Sequence, residues 1–483
     1  MTEPSRRRST KKIGPAPRQD QDARPGQPFP PDQHASAEVA DHAIEAGSIH
    51  PNVHYICRRL ADHGHLALLV GGAVRDLLLG IRPKDFDLAT SARPEEVERL
   101  FRNARIIGRR FRLVLVRYPD MLVEIATFRA EPGRLKNGMI LRDNRYGTME
   151  EDVRRRDFTI NALTLDPLEG KLYDFVGAMD DLRAGIIRTI KPPEDSYRED
   201  PVRMLRAVRF QCRLGLKIDP ECQRAIPPAA KLLGEVSRHR LADELQRLLT
   251  GGHAEAMCRE LEPLGLLRPL LRREPFPWFF GPGAGKSGKP ESPLKILGPL
   301  LRELDRWARE GEEPLPPTVA LLALLVTLGP EELREFLAAA PEADVISRRH
   351  RQQKLDPRLA DMLAAWGLLN GQVGPALAIL QAANRLAGHG PEAARDAGFC
   401  AAIAGSREAW LLLGALRGVL DGRGDFLDAG LSLLPQLPDL PILDHPRPPE
   451  RRRSPAKPHH IRSQRSGRSG RRRGKRKPTG ERR

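Results

Sequence analysis

Aromatic residues, cysteines and long apolar runs are all scarce in this chain of 483 residues. Phe, Trp and Tyr make up 5% of the sequence, and the five cysteines include no C-x-x-C pair. An odd number of cysteines without such spacing argues against a disulfide framework or a zinc site and suits a reducing compartment. The longest apolar run, near residues 319–328, is too short to span a bilayer, and the basic N-terminus lacks the apolar segment of a secretory signal. We therefore expect a cytoplasmic protein.

The formal net charge of +17 is concentrated at the two ends of the chain. Residues 446–483 contain sixteen Lys and Arg against two acids, and residues 1–36 contain seven against four. The remaining residues, 37–445, hold 57 bases and 57 acids out of the totals of 80 and 63. Both ends lack the apolar content of a core, so we predict a disordered arm and a disordered basic tail. The tail is suited to a polyanion such as RNA, with a solubility function as the alternative.

The most informative stretch begins with an apolar run at residues 67–70 that is followed by the pair Gly71-Gly72. The run is typical of a short buried strand, and residues 73–79 then predict a short helix that Gly80 ends. A glycine turn at a helix N-terminus exposes backbone N–H groups and favours an anion. The sequence therefore predicts a phosphate-binding turn.

A second strand is predicted over residues 85–89, where the sequence reads DFDLA. Alternation along a strand directs Asp85 and Asp87 to one face and Phe86 and Leu88 to the other. Two neighbouring carboxylates repel each other, and a cation between them removes that cost. Because oxygen ligands favour a hard cation, we predict a Mg²⁺ site here.

The segment Gly71-Gly72-Ala73-Val74-Arg75-Asp76, followed by Asp85-Phe86-Asp87, resembles the head domain of class II nucleotidyltransferases, the family of CCA-adding enzymes and bacterial poly(A) polymerases. The resemblance implies that Gly71, Gly72 and Arg75 bind nucleotide and that Asp85 and Asp87 are catalytic metal ligands. It also implies that Glu124, on a later predicted strand, is a third metal ligand; the alternative is an ordinary edge-strand acid.

Two further motifs follow the same family pattern. The sequence RRRDFTIN at residues 154–161 resembles the motif that contacts ribose and triphosphate, so the resemblance implies nucleotide binding by Arg156 and a catalytic role for Asp157. A surface ion-pair network is the alternative. The sequence EDPVRMLR at residues 199–206 resembles the base-selecting motif, which implies nucleotide contacts for Asp200, Arg203 and Arg206. Asp200 also precedes Pro201 in a pattern typical of a helix N-cap, and this alternative stays open.

A subgroup signature distinguishes the poly(A) polymerases within this family. Gly108, Arg109, Arg110, Phe111 and Arg112 resemble that signature, although Leu115 stands where the subgroup usually has histidine. We therefore expect a polymerase that adds AMP from ATP to RNA 3′ ends, in mRNA polyadenylation and decay, with two Mg²⁺ ions. The alternatives are a CCA-adding or A-adding tRNA nucleotidyltransferase and a catalytically silent RNA-binding protein.

The predicted fold class is α+β. A mixed sheet of about five strands with helices forms a head, and helical periodicity then extends from residue 216 to about 430. The predicted domains are a disordered arm (1–36), a nucleotidyltransferase head (37–185), a helical neck that carries the nucleotide-selecting motif (186–265), a helical RNA-binding body (266–445) and the disordered basic tail (446–483).

Overall fold

A large mixed β-sheet dominates the first half of the computed structural model. Its eight strands lie in the order β1-β10-β9-β2-β3-β6-β5-β4, and all neighbours are antiparallel except β3 and β6, which are parallel. The strands are β1 (Glu38–Ala40), β2 (Ala67–Val70), β3 (Phe86–Thr90), β4 (Ala104–Ile107), β5 (Leu113–Arg117), β6 (Leu122–Thr127), β9 (Thr164–Asp166) and β10 (Lys171–Asp174). Two small pairs complete the strands: β7 (Gly133–Arg134) with β8 (Ile140–Arg142), and β11 (Ile186–Ile187) with β12 (Lys217–Ile218).

The structure describes residues 38–108, 112–130, 133–134, 140–142, 146–271, 292–310, 315–328, 376, 378–380, 382–383 and 406–416. All of these belong to the first of two units, residues 1–444. The predicted arm and basic tail lie outside the described residues. Among the residues that the structure describes, every helix is too short or too polar to span a bilayer.

The mixed sheet was predicted correctly, but the expected number of about five strands was too small. The five predicted strands correspond to β2 through β6. Strands β1, β9 and β10 have only three or four residues each, which is too few for a periodic pattern to show in the sequence. They pair in succession beyond β2, so tertiary pairing rather than local pattern defines them.

Alternating side chains place two apolar clusters on the two faces of the sheet. Leu69, Leu88 and Ile125 belong to the main core, which also contains residues of α1. Leu68, Val70 and Ala89 belong to a smaller cluster on the opposite face. Phe86 is 8% exposed and Leu88 is 1% exposed, so the predicted alternation in this strand is confirmed. It leaves Asp87 on the face of the smaller cluster, away from the main core.

Helices cover the sheet and then form the remainder of the described chain. Those of the first half are α1 (Pro51–Ala61), α2 (Gly72–Leu78), α3 (Pro94–Leu100), α4 (Met149–Arg154), α5 (Ala178–Ala184) and α6 (Pro193–Glu199), with short 3₁₀ turns at Ala46–Ser48 and Thr159–Asn161. The later ones are α7 (Val202–Leu214), α8 (Pro220–Ala229), a 3₁₀ segment at Ala230–Glu235, α9 (Arg238–Thr250), α10 (Ala254–Leu261), α11 (Leu267–Leu271), α12 (Pro293–Glu310), α13 (Pro317–Leu328) and α14 (Ser406–Ala415).

Two of these helices position the site. Helix α7 packs against α9 and α10, and α9 packs in turn against α12 and α13. Helix α9 has its apolar side in the main core through Leu241, Leu245 and Leu248, because these residues recur at intervals of three and four. Its opposite side is therefore free to carry charged residues toward the head.

Candidate active site

An open cleft of about 690 Å³ lies between the sheet and the helices that follow it. Its head side is formed by the glycine turn after β2, the residues before and within β3, and the segment after α4. Its other side is formed by α7 and α9. Nine cationic side chains line it (Arg75, Lys84, Arg156, Arg203, Arg206, Arg209, Arg213, Arg240 and Arg247), together with seven acids (Asp76, Asp85, Asp87, Asp157, Asp200, Asp243 and Glu244).

Two of the predicted metal ligands come from neighbouring strands. Strands β3 and β6 are parallel, and their register places Asp87 directly opposite Glu124. Side chains at paired positions project from the same face of a sheet, so the two carboxylates stand side by side. Asp85 immediately precedes β3 and lines the same cleft. The fold thus places Asp85 and Asp87 in one cleft and sets Glu124, 37 residues after Asp87 in the sequence, opposite Asp87 on the neighbouring strand.

The electrostatics of these acids fit a divalent cation. Desolvation in the cleft, followed by the charges of Glu124 and Asp85, raises the pKa of Asp87 to about 6, against the opposing charges of Arg156 and Arg247. Desolvation and the charge of Asp85 also raise the pKa of Glu124. Both residues are nevertheless exposed at the surface of the sheet, and Asp87 lines the cleft. A cation bound to them would remove this repulsion.

No compact group of three or more His, Cys, Asp or Glu residues that could hold a metal occurs in the part of the chain that the structure describes. The carboxylate pair of Asp87 and Glu124 nevertheless fits Mg²⁺, since this ion usually takes one or two protein carboxylates and completes its shell with water and substrate phosphates.

The predicted phosphate turn has a backbone that only glycine adopts easily. Gly71 has φ +73° and ψ −133° and precedes the first residue of α2, Gly72. A Cβ atom at Gly71 would lie 3.3 Å from Nη1 of Arg156. The turn and Arg156 therefore approach each other closely enough to surround one anion, and a side chain on the turn would occupy that space.

Arg156 is the predicted phosphate ligand whose hydrogen bonding is least complete. Its Nη2 donates to Oδ2 of Asp152 at 3.0 Å, and its Nη1 donates to the carbonyl of Asn161 at 3.4 Å. Its Nε is buried and has no acceptor among the described residues. A buried donor without a partner is costly, so it is suited to an acceptor that arrives with a ligand.

The structure buries Arg75 almost completely, although the residue contributes to the cleft lining. Its side chain is 2% exposed, and Nε and Nη2 donate to Oδ1 of Asp76 at 2.9 and 2.5 Å. Nη1 donates to Oδ1 of Asn161. On the other side of Asp76, Nη2 of Arg213 donates to Oδ2 at 2.9 Å. Arg75 therefore ties the helix after the glycine turn to its surroundings.

Asp157 accepts three hydrogen bonds from the protein and forms a close ion pair. Its Oδ1 accepts from the backbone N–H of Phe158 at 2.9 Å and from Nδ2 of Asn161 at 3.1 Å. Its Oδ2 accepts from Nε of Arg206 on α7 at 2.7 Å and lies 2.6 Å from Nη2 of the same guanidinium. Burial opposes ionisation, but the Arg206 charge and these bonds prevail and hold the pKa of Asp157 below its usual value. The pair links the head directly to α7.

The base-selecting motif differs in detail from the prediction. Helix α7 begins at Val202 with Pro201 at the N-cap position, one residue later than expected, although Oδ1 of Asp200 still accepts from the N–H of Val202 at 3.2 Å. Oδ2 of Asp200 accepts from Nη2 of Arg240 at 2.6 Å. Asp200 therefore stabilises the start of the helix and bonds to α9, while lining the cleft.

Arg203 is 7% exposed, and its guanidinium donates mainly to neighbouring protein groups. Nη1 donates to Oγ of Ser196 at 2.9 Å and to Oε2 of Glu199 at 3.4 Å. Nη2 donates to the carbonyl of Arg155 at 3.4 Å. Its edge still lines the cleft, so Arg203 is held in a fixed position there.

Sequence reasoning missed the contribution of α9 to the cleft. Arg240, Asp243, Glu244 and Arg247 all line it. Their intervals of three, one and three residues place them on one face of a helix, which is a signal that the sequence does contain. Arg209 on α7 was also missed; its Nε donates to Oε2 of Glu244 at 3.1 Å.

The subgroup signature is described only at its two ends. Gly108 has φ +86°, and Arg112 forms an ion pair with Glu95 of α3. Arg109, Arg110 and Phe111 lie outside the described residues.

Comparison with known proteins gives two family models. The model for the "Poly A polymerase head domain" matches residues 67–188, and the one for the "Probable RNA and SrmB- binding site of polymerase A" matches residues 215–276. The first of these ranges contains the glycine turn, the carboxylates and Asp157.

Curated relatives and a solved structure match the same region. Poly(A) polymerase I of Escherichia coli O157:H7 is 47% identical over 240 residues, which is 48% of this chain and 52% of that protein. The CCA-adding enzyme of Bacillus velezensis is 37% identical over 258 residues, which is 52% of this chain and 61% of that protein. The chain thus spans about half the length of the curated relatives it matches.

The crystal structure of the Bacillus stearothermophilus CCA-adding enzyme in complex with CTP superposes with a TM-score of 0.50 at 30% sequence identity. The match covers 80% of this chain and 84% of that one, so it extends well beyond the head. The chain therefore belongs to the nucleotidyltransferase family of bacterial poly(A) polymerases and CCA-adding enzymes.

Proposed function

We propose that this protein is a template-independent poly(A) polymerase that transfers AMP from ATP to the 3′ ends of RNA, in mRNA polyadenylation and decay. The observation that carries the proposal is that Asp87, which is paired with Glu124 on the neighbouring strand, lines a cleft that also contains a glycine turn and Arg156. A carboxylate pair beside an anion site is what transfer of a nucleotidyl group requires. The 47% identity to poly(A) polymerase I over about half of that protein supports AMP addition as the activity within the family.

Asp85, Asp87 and Glu124 are the residues that would hold two Mg²⁺ ions. Bound there, the ions would activate the attacking 3′-hydroxyl and stabilise the leaving pyrophosphate. The raised pKa values of Asp87 and Glu124 support this assignment, because desolvation and the charges of neighbouring acids both disfavour the ionised carboxylates, and a bound cation would favour them.

The remaining residues bind and orient the nucleotide. We assign the phosphates to the N–H groups of the turn at Gly71 and Gly72 and to the guanidinium of Arg156. Arg75 contributes by holding the turn in place, since three of its five N–H donors already bond to Asp76 and Asn161. We propose this role in place of the direct nucleotide contact that the family resemblance implies for Arg75.

Asp157 and Arg206 form one wall of the proposed nucleotide site, with Asp200 and Arg203 beside them. The resemblance assigns Asp157 to the ribose and the other three to the base. Asp157 and Arg203 already form hydrogen bonds with protein groups. A bound ribose or base therefore contacts the remaining lone pairs of Asp157 and the remaining N–H groups of Arg203, or it replaces one of the existing hydrogen bonds. A rigid set of donors and acceptors of this kind favours one base over others.

We propose a separate role for each predicted domain. The head (37–185) supplies the metal ligands and the neck (186–265) supplies α7 and α9. We propose that the body (266–445) and the basic tail (446–483) bind the RNA, and that the arm (1–36) has no part in the chemistry. RNA and ATP are the proposed partners.

A second activity, CCA or A addition to tRNA, is supported by the structural match to a CCA-adding enzyme. The chemistry would be the same and only the choice of nucleotide and acceptor would differ. A catalytically silent RNA-binding protein is disfavoured because Asp85 and Asp87 line the cleft and Glu124 is paired with Asp87.

One experiment separates the three functions. The purified protein is incubated with Mg²⁺, a short unstructured RNA or a tRNA that lacks its CCA end, and each nucleoside triphosphate separately. A long ladder with ATP on the short RNA is the expected result. Addition of a few C and A residues to the tRNA alone would establish the second activity instead. The absence of product with every triphosphate would indicate a catalytically silent RNA-binding protein.

A further inference from the structure

We propose that Arg247 of α9 is a further substrate-binding residue, which contacts the phosphates of the incoming nucleoside triphosphate from the helical side of the cleft. The inference rests on the proposed function and extends it to a helix that follows the recognised motifs in sequence.

Most cations of the helical wall already have close anionic partners. Arg206 bonds to Asp157 at 2.6 Å, Arg209 to Glu244 at 3.1 Å, and Arg213 to Asp76 at 2.9 Å. A guanidinium in a close pair has fewer N–H groups left for a ligand. These arginines therefore shape the wall and hold it to the head.

Arg247 differs from these three arginines in its geometry. Its described ion pair, Nη1 to Oε1 of Glu244, is 4.0 Å long, and Glu244 already accepts from Arg209 at shorter range. The Arg247 side chain is 60% exposed, compared with 27% for Arg206 and 12% for Arg209. Its guanidinium thus enters the cleft with most of its hydrogen-bonding capacity unused.

Arg247 also lines the same cleft as Asp85 and Asp87. Arg156, which stands by the glycine turn, lines this cleft on the head side, whereas Arg247 lines it on the helical side. The two arginines therefore bring positive charge to the carboxylates from the head wall and from the helical wall.

A nucleoside triphosphate is the ligand that best matches this arrangement. Its phosphates carry several negative charges over a short length and bind strongly to paired guanidinium groups. The glycine turn and Arg156 contact it from one side, which leaves the opposite side of the phosphates facing α9. An RNA phosphodiester carries only one negative charge per nucleotide, so it would form fewer charge-assisted hydrogen bonds with the same guanidinium.

The test compares Arg247→Gln with Arg183→Gln as a matched control. Arg183 lies on α5 and is absent from the cleft lining; its side chain is 63% exposed and forms a loose i,i+3 pair with Asp180 at 3.6 Å. KM for ATP, KM for RNA and kcat are measured for both, together with inhibition by inorganic pyrophosphate. Isothermal titration with a non-hydrolysable ATP analogue gives binding without turnover, and thermal unfolding monitors the fold.

Loss of one charge-assisted hydrogen bond predicts a rise of roughly 10- to 100-fold in KM for ATP and in the inhibition constant of pyrophosphate for Arg247→Gln. KM for RNA and the melting temperature should match those of Arg183→Gln. Arg247→Lys should recover part of the affinity, because it keeps the charge but not the planar set of donors.

Unchanged ATP and pyrophosphate constants in Arg247→Gln would overturn the inference while leaving the proposed function intact. A change confined to KM for RNA would also overturn it and assign Arg247 to the acceptor. If the unmodified protein incorporates no nucleotide, the proposed function itself fails; the analogue titration then still decides whether Arg247 binds a triphosphate.

Discussion

The ion pair between Asp157 and Arg206 should be one of the largest single contributions to the contact between the head and α7. The substitution Asp157→Ala removes the acceptor of three hydrogen bonds and leaves the Arg206 side chain, 27% exposed, without its closest anion. Removing one partner of a buried ion pair typically costs about 3–5 kcal/mol. Arg206 retains Glu244 at 3.7 Å, so we expect the lower limit, a loss of about 3 kcal/mol in the free energy of unfolding.

The assay is chemical denaturation at neutral pH, with Asp195→Ala as the control. Asp195 is 47% exposed and pairs with Arg198 at 3.2 Å on a single helix, so its loss should cost less than about 0.5 kcal/mol. A double-mutant cycle of Asp157→Ala with Arg206→Gln should give a coupling energy of about 1–3 kcal/mol, since the residues are in direct contact.

The pH dependence provides a second check on this ion pair. The folded-state pKa of Asp157 lies below its unfolded value, so its stabilisation is complete above the unfolded pKa of about 4 and is lost as the pH falls through the folded pKa. The difference between wild type and Asp157→Ala should therefore persist from pH 7 to about pH 5 and shrink in more acidic solution. A loss below about 0.5 kcal/mol at pH 7, or a coupling energy near zero, would refute the reasoning.

Three other predictions concern the metal site, the glycine turn and the tail. Asp87→Asn should abolish incorporation of nucleotide. Because the pKa of Asp87 is raised to about 6, the wild-type protein should need a higher Mg²⁺ concentration as the pH falls below 6. Activity of Asp87→Asn within tenfold of wild type, or a wild-type Mg²⁺ requirement that is constant from pH 5 to 8, would contradict the metal assignment. Gly71→Ala should raise KM for ATP and lower the free energy of unfolding by about 1–3 kcal/mol. The control Gly64→Ala, at φ +79° with no neighbouring atom within 4 Å, should lower stability without changing KM for ATP. Equal ATP kinetics in the two variants would show that the turn does not bind the nucleotide. Deletion of residues 446–483 should lower the salt dependence of RNA binding, with a slope change of roughly 4 to 9 if six to ten of its sixteen bases contact phosphate; an unchanged slope would make the tail a solubility device.

Much of the local structure of the head could be predicted because it depends on short patterns. The apolar run before Gly71 and the alternation in Asp85-Phe86-Asp87-Leu88 specify a strand, a turn and a strand within about twenty residues. Helices α9 and α10 lie in the stretch where helical periodicity was predicted, since their apolar residues recur at intervals of three and four. In these segments, neighbours along the chain supply the constraint.

The composition of the active site depends on distance in space, which the sequence patterns alone do not contain. The register of β3 with β6 places Glu124 beside Asp87, and the packing of α9 against α7 brings Arg247 to the same cleft. Burial likewise decided that Arg75 supports the glycine turn, since its guanidinium is enclosed by Asp76 and Asn161.

The sequence by itself therefore determined the family pattern, the type and order of the main elements and the acids and arginines available for chemistry. Only the tertiary structure decided which of those charges pair with each other and which remain available to a ligand. The physical reason is that the electrostatic energy of a charged side chain depends on its distance in space from the nearest opposite charge, not on their separation along the chain. For Arg206 that partner is Asp157, which is 49 residues away in the sequence.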